Sequence, residues 1–374
     1  MKYYIIAGEA SGDLHASNLV REIKKNDHEA HFRGWGGDLM QSQGVDIIKH
    51  IRDHSFMGFT EVLMNLRTIV KSISFCKKDI LTYHPDALIL IDYPGFNLRI
   101  ADFAHENNFK VIYYISPQIW AWKQSRIHTI KACVDKMMVI LPFEKEFYGK
   151  FNFEVDFVGH PLIDAIANYK NQTLNPHFKA ENNLNDKPIV ALLPGSRKQE
   201  ITRILGAMLS VRNDFSDTQF IIAGAPSVPE SFYKDLIGSN DIKIVFNKTY
   251  DLLMNSTAAL VTSGTATLET ALFKVPQVVC YKGSNISYHI AKRLIKVKYI
   301  SLVNLIMDKK IVTELIQNDL NKENIKKELG DLLYNENAKN RLNSDYSDLT
   351  FTLGGKGASA KAASVVADFI NLAD

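Results

Sequence analysis

Cysteines are scarce in this chain of 374 residues, and their arrangement excludes two common classes of site. The three present, Cys76, Cys133 and Cys280, are odd in number, lie far apart and form no CxxC pair. Disulfide frameworks and structural zinc sites need paired or closely spaced cysteines. We therefore predict no disulfide framework, no metal site and reduced thiols, as in a cytosolic protein.

Long apolar runs and an excess of one charge are also missing. No stretch reaches the roughly 20 apolar residues that a membrane-spanning helix needs, so we expect no membrane span. The opening MKYYIIAGEASGD passes from a short apolar run straight into a turn, unlike a signal peptide. Lys and Arg number 44 against 41 Asp and Glu, a net charge of +3. This balance gives no reason to expect nucleic-acid binding.

Short apolar runs that alternate with amphipathic segments make up most of the chain. These runs are rich in β-branched and aromatic residues and do not alternate with polar ones, which is typical of parallel strands buried on both faces. They are YYIIA, ALILID, VIYYIS and KMMVIL in the first half and IVALLP, QFIIAGA, IKIVF, AALVTS and QVVCYKG in the second. We predict an α/β protein with two Rossmann-like, doubly wound parallel-sheet domains facing a cleft, with ligands at the carboxyl ends of the strands.

The length favours two domains over a single core, and a polar stretch suggests where they divide. Residues 168–188 are dense in Asn, Lys and turn formers. We predict a first domain at residues 1–167, a linker at 168–185 and a second domain at 186–345. A helix follows a glycine-rich turn at about residues 355–374.

The stretch IVALLPGSRKQEI joins a predicted strand to a charged helix and contains the first candidate site. Gly195 lets the backbone approach a ligand, Ser196 can cap the helix or donate to an oxygen, and Arg197 has a planar fork suited to phosphate. This pattern predicts a phosphate or diphosphate. The alternative is an ordinary helix cap with Arg197 paired to Glu200.

A second strand-to-helix turn, VTSGTATLE, follows about two strands later. Its residues Ser263, Gly264, Thr265 and Ala266 open another helix N-terminus on the same sheet edge. Glu269 can accept two hydrogen bonds from a ribose diol, or can be a capping-box partner. Together, the two turns predict a nucleoside diphosphate site.

The first half has its own strand exits. The glycine turns at residues 8–13 and 34–37 do not match GxGxxG, so they favour close approach of an acceptor, or simple tight turns, over a dinucleotide. Asp92 ends a predicted central strand and can take a proton from a hydroxyl, or cap the next turn. Trp120 and Trp122 can stack on a sugar, or fill the domain face.

Two segments bear on membranes. Residues 56–75 carry more apolar side chains than one buried helix face needs, and residues 286–306 interleave four basic residues with aliphatic ones. Such surfaces can rest on anionic headgroups. The alternative for each is core packing with a solvated opposite face.

Several motifs, in this order, resemble those of lipid-A-disaccharide synthases, a bacterial glycosyltransferase family of the B-type two-domain fold. They are AGEASGD, MGFTEVL, SPQIWAW, LPFEKEFY, FVGHPL, LLPGSRKQEI, SGTATLE and YISLVNLI. The resemblance runs from the first strand to beyond Asn304 and is loose in the linker and over residues 318–348. It implies that the last helix packs back on the first, acceptor-binding domain and that the second domain binds the donor.

The resemblance also implies the reaction. A UDP-2,3-diacylglucosamine donor passes its sugar, with inversion, to the primary hydroxyl of 2,3-diacylglucosamine 1-phosphate, giving a β-1,6 disaccharide phosphate and UDP. No cofactor or metal is implied. The partners are the two substrates and an anionic membrane surface at the inner face of the cytoplasmic membrane, and a homodimer stays open.

Residue by residue, the resemblance makes Asp92 the base and Arg197 the group that stabilises departing UDP. Gly95 stands where some relatives carry a second acid. The implied donor-binding residues are Gly195, Ser196, Arg197, Ser263, Gly264, Thr265, Ala266, Glu269 and Asn304. The implied acceptor-binding residues are Glu9, Ser11, Met57, Asn97 and Trp120. Two alternatives remain: a nonhydrolysing UDP-sugar epimerase, and a nucleotide-sugar binding protein without catalysis.

Overall fold

A computed structural model describes residues 1–54, 66–121, 123–172, 175–238, 241–283 and 298–371. The chain divides into two compact units, Met1–Ala165 with Leu353–Asp374, and Ile166–Thr352. Each is a parallel sheet with helices on both faces, which confirms the prediction of two parallel-sheet α/β domains. No helix within these ranges is long and apolar enough to cross a bilayer.

The first unit is built on a seven-stranded parallel sheet in the order β3-β2-β1-β4-β5-β6-β7. Its strands are β1 (Lys2–Ala7), β2 (His31–Gly36), β3 (Asp46–His50), β4 (Ala87–Ile91), β5 (Lys110–Tyr114), β6 (Lys136–Val139) and β7 (Asp156–Phe157). Its helices are α1 (Ala10–Asn26), α2 (Asp38–Ser42), α3 (Leu66–Tyr83), α4 (Pro94–Glu106), α5 (Ile127–Cys133), α6 (Pro142–Gly149) and the start of α7 (Pro161–Gln172).

The second unit has a six-stranded parallel sheet in the order β10-β9-β8-β11-β12-β13. Its strands are β8 (Ile189–Leu193), β9 (Gln219–Gly224), β10 (Lys243–Phe246), β11 (Ser256–Thr262), β12 (Gln277–Tyr281) and β13 (Thr313–Ile316). Its helices are α8 (Phe178–Glu181), α9 (Lys198–Leu209), α10 (Glu230–Ile237), α11 (Thr249–Met254), α12 (Thr265–Leu272), α13 (Leu302–Met307), α14 (Lys322–Tyr334) and α15 (Glu336–Thr352).

Side chains alternate between the two faces of the first sheet, as the pleat requires. Tyr4 and Leu88 pack into one core cluster, whereas Ile5 and Ile89 pack into the other. The final helix, α16 (Ala358–Asn371), contributes its buried face to this second cluster. The continuous apolar runs of β4 and β8 are buried at every position because helices cover both sides.

Two details differ from the sequence predictions. Residues 168–172, predicted as the start of the linker, belong to the end of α7, which continues because no Pro or Gly interrupts it. In the second unit, the Tyr169 ring packs edge-on against the Tyr250 ring, with the ring centres 5.1 Å apart. The glycine turn at 34–37 does not follow β2. Its first three residues lie within the strand, where a Cβ at Gly34 would lie 1.9 Å from the Ile5 oxygen.

Candidate active site

Three neighbouring strands of the first unit end at one edge of their sheet. β1 pairs with β4 through Ala7 and Ile91, and β4 pairs with β5 through Ile91 and Tyr114. This carboxyl edge is where doubly wound sheets bind ligands. The predicted residues on or next to these strand exits are Glu9, Ser11, Asp92, Asn97 and Trp120.

Gly8 allows the β1 and β4 exit loops to approach each other. A Cβ atom at Gly8 would lie 2.4 Å from Cδ1 and Cγ of the Tyr93 ring, closer than any side chain tolerates. The glycine turn was predicted to admit an acceptor or to be a tight turn. At Gly8 the close approach is made by a ring of the protein itself.

Asp92 lies in a strained turn between β4 and α4. Asp92 and Tyr93 both have left-handed backbones, with φ of 46° and 47°, which costs about 1–3 kcal/mol for each such residue. The Asp92 carbonyl oxygen accepts from the Tyr113 hydroxyl at 2.5 Å and from Asn97 Nδ2 at 2.9 Å. The Asp92 N–H donates to the Tyr114 oxygen at 3.1 Å. These bonds hold the main chain and so set the direction in which the carboxylate leaves the strand.

Burial makes Asp92 a weaker acid than an exposed aspartate. Its pKa is raised to about 6, chiefly because the surrounding protein excludes water and secondly because of the Glu9 carboxylate. A hydrogen bond from the Tyr93 N–H lowers the pKa and offsets part of the rise. A base whose pKa lies near the working pH suits proton transfer. The second carboxylate that acts on Asp92 thus comes from the β1 exit and not from position 95.

Asp13, which the sequence analysis did not single out, links two strand exits. Its carboxylate is buried and accepts from the N–H groups of Gly37 at 2.7 Å, Leu39 at 3.1 Å and Met40 at 3.1 Å. Those are orphan donors at the start of α2. The acid of this glycine turn is therefore a helix cap.

Trp120 is positioned by a carboxyl group that the sequence analysis also missed. Glu144, 1% exposed, accepts from Trp120 Nε1 at 3.2 Å and from Ser116 Oγ at 2.6 Å. Its other oxygen accepts from the N–H groups of Leu141 at 2.9 Å and Ile140 at 3.2 Å. Burial raises the pKa of Glu144 to about 7, and the four donors oppose that rise. Only half of a capping box is present at the start of α6, because Glu144 accepts from the Leu141 N–H but Leu141 has no side-chain acceptor, so the sequence carried no capping-box signal for this carboxylate.

The other residues predicted to bind the acceptor lie in different settings. Asn97 is fully buried, and its Nδ2 donates to the oxygens of residues 91 and 92, so this amide nitrogen braces the Asp92 turn. Ser11 is exposed in the first turn of α1. Met57 and Trp122 lie outside the described residues.

In the second unit, β8 pairs with β11 through Leu193 and Val261, so both predicted phosphate loops leave neighbouring strands at one edge. Gly195 has a φ of +116°, a conformation that favours glycine. Ser196 is exposed, and the Arg197 side chain is 61% exposed. The first turn of α9 follows directly, with free N–H groups and a positive dipole end.

The helix-cap alternative for this loop is partly present. Arg197 Nη1 lies 3.7 Å from Glu200 Oε1, and the Ser196 N–H donates to Glu200 Oε2 at 3.3 Å. The Ser196 hydroxyl is not the cap, because the N-cap residue is Arg197 and its side chain makes no capping bond. An exposed ion pair of this length is weak. The loop therefore retains its capacity for a stronger anion.

The second loop leads from β11 into α12 through Ser263 and Gly264. The Ser263 hydroxyl donates to the Ile300 oxygen at 2.7 Å, which ties the loop to the residues before α13. Thr265 and Ala266 form the first helical turn, and Gly264 and Thr265 are exposed. The first N–H groups of α12 are the donors that this loop can offer an anion.

Glu269 is held by a tyrosine that the sequence analysis did not identify. Its Oε1 accepts from the Tyr250 hydroxyl at 2.8 Å. Burial raises the pKa of Glu269, and this hydrogen bond lowers it. The capping-box alternative is wrong, because the N-cap residue is Gly264, which has no side chain. A carboxylate has about four lone-pair sites, so Glu269 can still accept from a diol.

Asn304 lies in α13, and its side-chain amide makes four hydrogen bonds, all within the protein. Its Nδ2 donates to the Val312 oxygen and to Glu314 Oε1, both at 2.9 Å. Its Oδ1 accepts from the N–H groups of Ile311 at 2.8 Å and Val312 at 2.9 Å. Glu314 also accepts from the Ile300 and Ser301 N–H groups. Asn304 therefore acts on the donor loop by holding the residues to which Ser263 is bonded.

The two edges offer different chemistry. The first unit presents a carboxylate with a raised pKa, a second acid and an indole, which suit deprotonation of a hydroxyl beside a sugar. The second presents two helix N-termini and a guanidinium, which suit a diphosphate that gains charge as it leaves.

The matching family model and the relatives found by sequence agree on one family. A family model described as lipid-A-disaccharide synthetase matches residues 3–369. The lipid-A-disaccharide synthase of Syntrophus aciditrophicus is 40% identical, over 99% of this chain and 98% of that protein. The enzyme of the same name from Coxiella burnetii is 36% identical, over 98% of each.

Solved structures share the fold at low identity. The UDP-GlcNAc 2-epimerase of Neisseria meningitidis, bound to UDP-GlcNAc, is 12% identical over the whole of both chains, with a TM-score of 0.69. A calicheamicin glycosyltransferase is 14% identical, over 99% of this chain and 98% of that one, with a TM-score of 0.58. At such identities the likeness concerns the fold alone.

Proposed function

The chain belongs to the lipid-A-disaccharide synthase family of glycosyltransferases, and from this we propose which substrates it joins and which residues act on them. The donor is UDP-2,3-diacylglucosamine and the acceptor is 2,3-diacylglucosamine 1-phosphate. The products are the β-1,6 disaccharide 1-phosphate and UDP. The observation that carries the proposal is the family match over residues 3–369, which includes both strand-exit edges.

In the proposed reaction, Asp92 takes the proton of the acceptor's primary hydroxyl as the oxygen attacks the donor's anomeric carbon. The bond from that carbon to the diphosphate breaks, and the configuration inverts. The turn held by Tyr113 and Asn97 orients the carboxylate, and its raised pKa makes it a competent base at neutral pH. Glu9, Ser11, Met57 and Trp120 complete the acceptor site.

The donor's diphosphate binds the N–H groups of the two exit loops and the Arg197 guanidinium, which stabilise charge as UDP leaves. Residues 195–197 form one loop, and residues 263–266 form the other. Glu269 binds the ribose diol. Asn304 supports the site indirectly, by holding the residues that Ser263 contacts.

One assay tests the reaction directly. The protein is incubated with the two diacylated sugars, and the disaccharide 1-phosphate is detected by mass spectrometry; a parallel sample receives UDP-N-acetylglucosamine alone. We expect disaccharide and UDP in the first sample and unchanged sugar in the second. Interconversion of the sugar would support the epimerase alternative, which the family match does not favour.

Contact with an anionic membrane surface is a further part of the proposal, placed at the inner face of the cytoplasmic membrane. Helix α3 exposes Val70 by 64% and Phe75 by 50%, near the exposed Lys71 and Lys78. Acylated substrates favour the bilayer by about 0.8 kcal/mol per buried CH₂. In the other predicted segment, Val303 and Ile306 are buried in the second unit, and residues 284–297 lie outside the described residues.

Flotation with anionic liposomes tests this contact. We expect binding at low salt and a clear loss of binding in a Val70→Ser, Phe75→Ser double variant. Phe351→Ser, at a site 85% exposed on α15, is the matched control. Equal flotation of all three proteins would contradict a contact through α3. Whether the chain forms a homodimer is a separate question, which sedimentation velocity answers.

A further inference from the structure

The phosphate loop of the second unit already holds an anion, and that anion is the side chain of Glu200. Its Oε2 accepts from the Ser196 N–H at 3.3 Å, and its Oε1 lies 3.7 Å from Arg197 Nη1. Both groups are among those assigned above to the donor's diphosphate. One internal carboxylate therefore covers both of them.

The conformation of Gly195 also fits this carboxylate. A Cβ atom at Gly195 would lie 2.7 Å from Glu200 Oε2 and 3.0 Å from Glu200 Cβ. The sequence suggested that glycine is needed here so that a ligand can approach the backbone. In this structure the group that uses the space is Glu200, so the loop is shaped around a negative charge.

The contacts of Glu200 are weak enough to be exchanged. A charge-assisted hydrogen bond to oxygen is ordinarily about 2.7–2.9 Å long, and both distances here are longer. Glu200 is 35% and Arg197 61% exposed, so water screens their attraction. A diphosphate carries more charge than a carboxylate and more acceptor oxygens, and it can approach the same donors more closely.

We propose that Glu200 is an exchangeable counter-anion, displaced from the Ser196 N–H and from Arg197 when the donor's diphosphate binds. It competes with the diphosphate, keeps the loop in a binding-competent shape and favours release of UDP after transfer. This inference rests on the proposed function, because it assumes that a nucleoside diphosphate binds this loop.

Glu200→Gln is the sharpest test, because it removes the charge and keeps the shape. We expect calorimetric titration with UDP to give a Kd about two- to fivefold lower than that of the unaltered protein, the effect of removing one screened surface carboxylate. The difference should shrink at 1 M salt, where the Debye length is about 3 Å. Glu200→Ala should change the Kd in the same direction.

Glu336→Gln is the matched control, since Glu336 lies in the same unit and pairs with Lys339 at 2.7 Å with the same spacing of three residues. It should leave the Kd for UDP unchanged. Equal or weaker binding by a folded Glu200→Gln protein would overturn the proposal and make Glu200 a permanent clamp on Arg197. If UDP bound neither the variant nor the unaltered protein, the proposed function itself would fail.

Discussion

The two units place their chemical groups in opposite settings. In the first, the proposed base Asp92 lies in a turn tied to β5, and burial raises its pKa to about 6. In the second, the proposed diphosphate ligand Arg197 is 61% exposed beside a glycine of φ +116°. A base needs partial loss of water to hold a proton near neutral pH, whereas an anion site needs donors that a charged ligand can reach. The carboxyl edge of a parallel sheet serves both purposes, because the exit loops, and not the sheets, set how exposed each side chain is.

Removing the Asp92 carboxylate should have the largest effect. Asp92→Asn keeps the side chain's size and loses the proton acceptor, so we expect turnover to fall by about 10²-fold or more. Affinity for UDP should be unchanged, because the UDP site is assigned to the other unit. Steady-state rates and a UDP titration measure the two effects. Asp102→Asn, on the exposed face of α4, should keep full turnover. Full turnover in Asp92→Asn would exclude Asp92 as the base.

Removing the exposed guanidinium should alter binding and rate together. For Arg197→Ala we expect kcat/KM for the donor to fall by about 10- to 100-fold, the usual range for a hydrogen bond to a charged group. Arg197→Lys should restore part of the loss, because it keeps the charge without the fork. Arg203→Ala, exposed on the same helix, is the control. A change confined to thermal stability would leave Arg197 only as the ion-pair partner of Glu200.

The half-buried Asp92 carboxyl group should also reduce the stability of its own unit. The pKa of Asp92 in the folded state, about 6, is raised above the ordinary aspartate value of 3.8. Stability is therefore lost as pH rises from about 4 to about 6, and the whole cost is present at pH 7. We expect Asp92→Asn to stabilise the first unit by about 1–2 kcal/mol at pH 7.5 and by little at pH 4.

Urea unfolding followed by tryptophan fluorescence can measure this effect selectively. All 3 tryptophans, at positions 35, 120 and 122, belong to the first unit. A second-unit change, such as Arg197→Ala, should leave this transition unchanged. Equal stability of Asp92→Asn and the unaltered protein at pH 7.5 would mean that burial of the carboxylate is not costly.

The smallest predicted effect concerns Glu9. Asp92 must be ionised to act, so kcat/KM should fall as pH drops through about 6. Glu9→Gln removes a charge that raises this pKa, so the decline should move to lower pH. At pH 5 we expect the rate, relative to its neutral value, to be about threefold higher than in the unaltered protein. An unmoved inflection would show that burial alone sets the pKa of Asp92.

Much of the fold could be predicted from local pattern. All nine apolar runs became strands, because a continuous β-branched run is stable only between two covered faces. Strands β2, β3, β7 and β13 were not among these runs. Their burial is partial, so their sequences lack the continuous apolar signal. The predicted linker at 168–185 overlaps the end of α7, because polar composition does not by itself end a helix.

The candidate site could be predicted only as positions along the chain. The sequence placed Asp92, Arg197 and Glu269 at strand exits or early in helices, because turn residues are local signals. Their partners were not visible. Tyr250 is 19 residues from Glu269, and Ser116 is 28 residues from Glu144. Asn304, predicted as a ligand-binding residue, instead has its amide saturated within the protein.

The amino-acid sequence by itself determined the α/β class, the two sheets and the family, because apolar periodicity and turn chemistry are written in neighbouring residues. Only the tertiary structure decided that Glu9 acts on Asp92 and that Glu144 holds Trp120. For both, the parallel sheet brings distant exits to one edge. The pairing of Glu200 with Arg197 was open to the sequence, because the two residues are three positions apart, and the structure added the hydrogen bond from the Ser196 N–H.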